Sequence, residues 1–185
     1  MAFSKIAAEN LGGSALPAIG GGNLTGISAG ITHAQIWNMN TAFEGSASPI
    51  ASNWSETWNN DVGDANSLGS SSVTESSGVF TFGATGIWDV RFTMQVSDSS
   101  AADLDCFAEI ERTVNNSTYV KCARSGAGNA VANIYHTTTA SVLLDITDTS
   151  NQKVRFVSSG LGTADVYGHG DYIHTYAIFI KLGDT

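Results

Sequence analysis

The residues best suited to chemistry are four histidines, His33, His136, His169 and His174, two of which share the segment Gly168-His169-Gly170-Asp171-Tyr172-Ile173-His174. A His/Asp cluster of this kind could ligate a metal or relay a proton. On an extended strand, however, His174 and Tyr172 share a face while Asp171 points the other way, so the segment reads as loop and interface residues. A second set of donors is Asn59, Asn60, Asp61, Asp64 and Asn66, hard oxygens in one loop of the type that calcium takes. Their spacing departs from the Asp-x-Asp-x-Asp-Gly cation loop, so a solvated polar loop is the simpler account. Calcium at Asp61, Asp64 and Asn66 is the alternative, and no other cofactor is expected. The glycine-rich run Ser125-Gly126-Ala127-Gly128-Asn129 lacks the lysine and the strand-to-helix setting of a phosphate cradle and reads as a turn.

No serine lies in a nucleophile-elbow setting and no carboxylate pair is spaced for glycoside chemistry, so the expectation is a protein that is not an enzyme. Trp54 and Trp58 stand in a polar stretch and are the candidate glycan-binding residues. Exposed, they would favour sugar recognition; buried, a purely structural role. Cys106 and Cys122 flank a turn at Asn115-Asn116. Strand pairing leaves them on opposite faces or diagonal, too far apart to bridge without distortion, so both are expected as free, half-buried thiols.

Charge narrows the partners. The net charge is -9, from 17 Asp and Glu against 8 Lys and Arg, which argues against nucleic acid or an anionic membrane surface. No apolar run reaches the ~18–20 residues that span a bilayer, and the first residues lack the apolar core of a secretory signal. A soluble chain made in a cytoplasm is expected. Charged residues are only 14% of the chain, with Ser, Thr, Asn and Gly filling the surface.

The elements that must position these residues are strands. In Gly86 to Val96, Trp88, Val90, Phe92, Met94 and Val96 alternate with Asp89, Arg91, Thr93 and Gln95, a period of two that a half-buried strand satisfies. Val79 to Phe82 is a second such run. Gly83-Ala84-Thr85-Gly86 between them predicts a hairpin. Ile31 to Met39 predicts a first strand with Ile31, His33, Gln35, Trp37 and Met39 on one face. Residues 41–77 are loop-rich, with short edge strands expected near Trp54 to Trp58 and at Val73.

Further on, Leu104, Cys106, Ala108 and Ile110 face inward, and Asp105, Glu109 and Glu111 form a solubilising acidic outer face. Short strands follow at Ala130 to Tyr135, at Ser141 to Thr147 with Val142, Leu144 and Ile146 inward, and at Lys153 to Val157. The last run, Tyr172 to Leu182, is apolar on both faces and belongs inside a sandwich or against another subunit. About ten short strands with turn signals and no amphipathic helix read as an antiparallel sandwich of jelly-roll type.

Residues 1–30 differ in kind. Phe3, Ile6, Leu11, Leu16, Ile19, Leu24 and Ile27 are isolated apolar residues in a Gly, Ala, Ser and Asn background, and glycine and proline breakers forbid any long element. Such a segment is either a disordered terminus or an extended arm whose anchors lie along another subunit.

Two resemblances sharpen this reading. Leu16-Pro17-Ala18-Ile19-Gly20-Gly21-Gly22-Asn23-Leu24-Thr25-Gly26-Ile27 resembles a segment of bacteriophage tail-fibre and related virion proteins. Met1-Ala2-Phe3-Ser4-Lys5-Ile6 resembles the starts of marine phage structural proteins. Gly78-Val79-Phe80-Thr81-Phe82 followed by Gly86-Ile87-Trp88-Asp89-Val90-Arg91-Phe92 resembles a signature of the tumour-necrosis-factor-like (TNF-like) and complement globular-head jelly rolls, with Trp88 where that family has Tyr. Ser141 to Ile146 with Lys153 to Phe156 resembles its penultimate strand pair, and Tyr176 to Leu182 its closing strand.

The resemblance implies an all-β domain over 31–185 behind a docking arm at 1–30. It also implies a compact homotrimer with Tyr172, His174, Tyr176 and Phe179 towards the threefold axis. The function it implies is a phage virion structural protein, a capsid decoration or short tail fibre, made in the bacterial host cytoplasm and resident in the virion. Other virion proteins would be its partners. The alternative is a receptor-binding module that attaches to a host cell-surface glycan.

Overall fold

A computed structural model of the chain describes residues 30–56, 67–68, 72–97, 105–128 and 134–185. The arm anchors Phe3, Ile6, Leu11, Leu16, Ile19, Leu24 and Ile27, and the loop residues Trp58, Asp61, Asp64 and Asn66, lie outside them. Among the described residues every element is a strand. In chain order these are β1 (Ala34–Met39), β2 (Phe43–Glu44), β3 (Trp54–Ser55), β4 (Ser67–Leu68), β5 (Val73–Ser76), β6 (Val79–Phe82), β7 (Gly86–Ser97), β8 (Cys106–Thr113), β9 (Val120–Ala127), β10 (Tyr135–Ile146), β11 (Lys153–Ser159), β12 (Asp165–Val166) and β13 (Tyr176–Gly183).

They form two sheets. One contains β2, β12, β7, β13, β1 and β3, with β10 on the other flank of β7 and β4 on β1; the other runs β5-β6-β11-β8-β9. Every pairing is antiparallel. The two inner faces enclose one core. Trp88, Val90, Phe92, Met94 and Val96 of β7 are all fully buried, as their alternation requires. Facing them, Phe80 and Phe156 of the second sheet pack on Phe92 and Phe179 of the first, with ring centroids 4.8 Å apart for Phe92–Phe156 and 5.5 Å for Phe80–Phe179. Each such ring contributes about 1.5–3 kcal/mol by leaving water.

The predicted hairpin is a crossover. β6 pairs with β5 and β11, whereas β7 pairs with β10, β12 and β13, so the chain between Phe82 and Gly86 passes from one sheet to the other. Phe82 and Trp88 then meet across the core, centroids 5.1 Å apart, and the Trp88 indole N–H donates to the Ala84 carbonyl at 3.1 Å. Gly86 takes φ +138, a backbone conformation that side chains rarely adopt.

Other expectations shift in detail. Of the run expected at 130–135, residues 130–133 lie outside the described residues, and Tyr135 opens a single strand, β10, that also takes in Ser141 to Ile146 of the run expected at 141–147, paired with β7 from Tyr135↔Ser97 to Ile146↔Gly86. The closing strand starts at Tyr176, so Tyr172 to Thr175 are not strand. Asn115-Asn116 does turn β8 into β9: the Asn115 side-chain oxygen accepts the Ser117 and Thr118 N–H groups, and Asn116 has φ 56. Neither cysteine is in a disulfide; Cys106 is fully buried and only Cys122 is half-buried. Burial pushes the Cys122 thiol up.

The acidic outer face on β8 is not simply solubilising. Glu109 is 2% exposed, held by Lys121 at 2.7 Å, Arg124 at 3.1 Å and the Ser159 hydroxyl at 2.7 Å. Arg124 in turn stacks over the Phe107 ring. Glu111 is taken by Arg155 at 2.6 Å. Cross-strand cations from β9 and β11 thus cover what the alternation alone presents as an exposed acidic stripe.

Candidate functional site

The surface that stands out is the outward face of the larger sheet, across β1, β13, β7 and β10. In β13, Ala177, Phe179 and Lys181 turn inward and are buried, while Tyr176, Ile178, Ile180 and Leu182 face out, none of them fully covered. Register sets their neighbours. Ile180 lies between Ala34 and Asp89, with Leu143 beyond; Ile178 lies between Ile36 and Arg91, with Ser141 beyond; Tyr176 lies between Asn38 and Thr93, with Thr139 beyond. Leu143 is 64% exposed and Leu182 51%. An aliphatic stripe from β1 and β13 therefore runs beside a polar stripe of Thr and Ser on β10.

Between the stripes Asp89 and Arg91 close on each other. The Arg91 guanidinium donates to Asp89 through Nη2 at 2.6 Å and through Nε at 3.0 and 3.2 Å, and this pairing holds it protonated beyond its ordinary range. A shallow open depression beside it is lined by Asp89, Arg91, Thr139, Ser141 and Leu143. Thr93 and Thr139 share a hydroxyl contact at 2.9 Å. On β1 of the same face Asn38 is fully enclosed, and neither amide atom of its side chain has a hydrogen-bond partner among the described residues.

At one end of this face the chain gathers rings. Tyr167 follows β12 and donates its N–H to the Gln95 carbonyl at 2.9 Å, which sets it on the outward side of β7. Its ring meets Tyr135 at 5.3 Å and His174 at 4.7 Å. His174 is 6.4 Å from Tyr172 and 6.3 Å from His169, and His169 is 5.2 Å from Tyr172. His169 is tied down twice: its backbone N–H donates to the Met39 carbonyl, and its Nδ1 accepts the Asp171 N–H at 3.0 Å. The Asp171 carboxylate lies 4.0 Å from the same nitrogen. Burial, and secondarily the charge of His169, push the His174 imidazole down.

Tyr172 and His174 meet at this end and Tyr176 faces out from the start of β13, but Phe179 does not join them. It has the opposite parity to Tyr176 and lies in the core, 6.0 Å from Phe82. Nothing local in the sequence marks Tyr135 or Tyr167 as site residues: Tyr135 ends a short run of strand character, and the place of Tyr167 depends on the two-residue β12. Trp54 is also core-bound. Its ring packs on Phe80 at 5.2 Å and Phe156 at 5.6 Å, and its indole N–H donates to Ile50 O at 2.8 Å, so it offers no free platform to a sugar. His33 packs edge-on against Trp88 at 5.9 Å. Among the described residues, no group of three or more His, Cys, Asp or Glu is gathered for a metal ion.

No family model matches the chain, and no curated protein matches it in sequence. Solved structures do match. The crystal structure of murine APRIL at pH 5.0 superposes with a TM-score of 0.56 at 10% identity, covering 81% of this chain and 98% of that one. The structure of Eiger TNF from S. frugiperda superposes with a TM-score of 0.58 at 13% identity, covering 85% and 96%. The fold is the TNF-like jelly roll. At these identities the likeness is one of fold.

Proposed function

We propose that this chain is a non-enzymatic structural protein that assembles as a homotrimer through the outward face of its larger sheet. The observation that carries the reading is the parity of the closing strand. β13 presents Tyr176, Ile178, Ile180 and Leu182 away from a core already filled by Phe179 and its partners, and Ile36 and Leu143 extend the patch. Apolar residues arrayed on the outside of a completed sandwich are stabilised by a second copy that removes them from water. Its closed Asp89–Arg91 pair would be covered as a pair, not as two lone charges.

The place of assembly that best fits the sequence is a phage virion, as a capsid decoration or short fibre docked on other virion proteins by residues 1–30. That part rests on the resemblance of Leu16 to Ile27 to tail-fibre segments. The packing of Trp54 in the core favours a structural role over the glycan-binding alternative, by the criterion that burial of the tryptophans marks a structural use.

Sedimentation velocity of the full chain at micromolar concentration tests the reading. A trimer is expected for the natural sequence, and a folded monomer for Ile178→Arg, whose charge would sit in the middle of the buried patch. A monomeric natural chain would remove the proposal. Deleting residues 1–30 should leave the jelly roll folded and abolish incorporation into particles; unchanged incorporation would rule out the docking arm.

A further inference from the structure

The ring cluster at the end of this face holds two titratable imidazoles in a position that assembly would cover. His174 precedes Tyr176 by two residues and is half-buried against Tyr167 and Tyr172. Tyr167 and Tyr135 continue the outward side of β7 and β10 beyond Tyr176, so the cluster is continuous with the aliphatic stripe. We infer that His174, set beside His169 in this cluster, makes assembly through this face pH-responsive, the trimer closing over a neutral His174 imidazole and opening when mild acid charges it. This rests on the trimer reading above.

The groups around the pair settle the direction. Among the described residues, those facing His174 are Tyr167, from the segment after β12, and Tyr172 and His169, from the segment before β13; no carboxylate is in contact with it. His169 faces Tyr172, His174, the Met39 carbonyl and Asp171, whose carboxylate at 4.0 Å is the sole acidic group in contact with the pair among the described residues. Asp165 lies farther out, across Ser97 from Tyr135. One carboxylate therefore answers two imidazoles whose centroids are 6.3 Å apart.

Charging His174 places a cation among rings that a second subunit would desolvate further. The sign follows from linkage. A histidine favoured in its neutral form by burial binds fewer protons when folded and assembled than when free. The stabilisation it allows is therefore present above the ordinary histidine range and is lost as pH falls through it.

Sedimentation equilibrium of the full chain at about pH 7.5 and about pH 5.5 tests this, since an unperturbed histidine titrates between them at about 6.5. The natural chain should be trimeric at the higher pH, and its trimer–monomer midpoint concentration should rise at least about tenfold at the lower, with far-UV circular dichroism unchanged. The variant carrying His169→Gln and His174→Gln should show no such rise, and His174→Asn alone should lose most of it should the double variant fold poorly.

A natural chain equally trimeric at both pH values overturns the inference and leaves the trimer reading standing. Dissociation that persists in both histidine variants also overturns it, by assigning the effect to other groups. A natural chain that is monomeric at about pH 7.5 removes the trimer reading and the inference with it.

Discussion

Gly86 is where the chain leaves the smaller sheet and enters β7, and replacing it with alanine tests whether that crossover is built as described. A Cβ at this position would press against the Gly183 carbonyl oxygen and the Lys181 side chain, nearer than real Cβ atoms come to either. The lysine stem can move, but the carbonyl belongs to the closing strand, whose Gly183 pairs with Ile87 beside the crossover. In addition φ +138 lies in a region that non-glycine residues occupy at a cost of about 1–3 kcal/mol.

Adding a displacement of β13 gives a total of about 3–4 kcal/mol, a large share of the ~5–15 kcal/mol that holds a domain. With a urea slope of about 2 kcal/mol/M for a domain of this size, the unfolding midpoint should fall by about 1.5–2 M. The titration is run at one fixed protein concentration, because assembly would add a concentration-dependent contribution. Gly183→Ala is the control. Its Cβ would meet nothing within 4 Å, so the change should be neutral or stabilising by about 0.5 kcal/mol. Equal midpoints for the two variants would refute the crossover geometry at Gly86.

Two further stability outcomes follow from buried polar groups. Glu109→Ala removes the shared acceptor of Lys121, Arg124 and Ser159 and should cost about 2–3 kcal/mol in a urea titration, more than Lys121→Ala or Arg124→Ala, each of which leaves Glu109 a cation. A Glu109→Ala change below about 0.5 kcal/mol would show that the network contributes no net stability. Asn38→Val replaces an enclosed amide that has no partner among the described residues with a strand-favouring side chain, and should raise the melting temperature, the gain being about 1 kcal/mol. A lowered melting temperature would mean that the amide is satisfied in solution.

The core was legible because a strand buried on one side writes its burial directly into alternation. Each residue of the Trp88 to Val96 set is buried as its parity requires, and Val154 and Phe156 of β11 follow the same rule. The candidate face was legible in part for the same reason. Tyr176, Ile178 and Ile180 alternate outward along β13, whereas Tyr172 and His174 precede the strand, beyond the reach of period two, and Phe179, in an all-apolar strand, could be placed only by the filled core. Glu109 was misplaced because period-two reasoning assigns a residue to a face without saying what long side chains from the neighbouring strand lay over it.

The sequence by itself determined that this is an all-β chain and which face of a strictly alternating strand such as β7 meets a core, since these depend on local backbone preference and on periodicity within one segment. Strand partnership was decided by the tertiary structure alone. Phe82 and Trp88 alternate inward in the same way whether their strands pair side by side or face each other across a sandwich. The choice between hairpin and crossover lies in which backbone hydrogen bonds close, and side-chain period does not record it. The same holds for the ring cluster. Tyr167, His169 and His174 lie in the one stretch between β12 and β13 while Tyr135 comes from β10, and only the docking of β12 and β10 on either side of β7 brings Tyr135 to them.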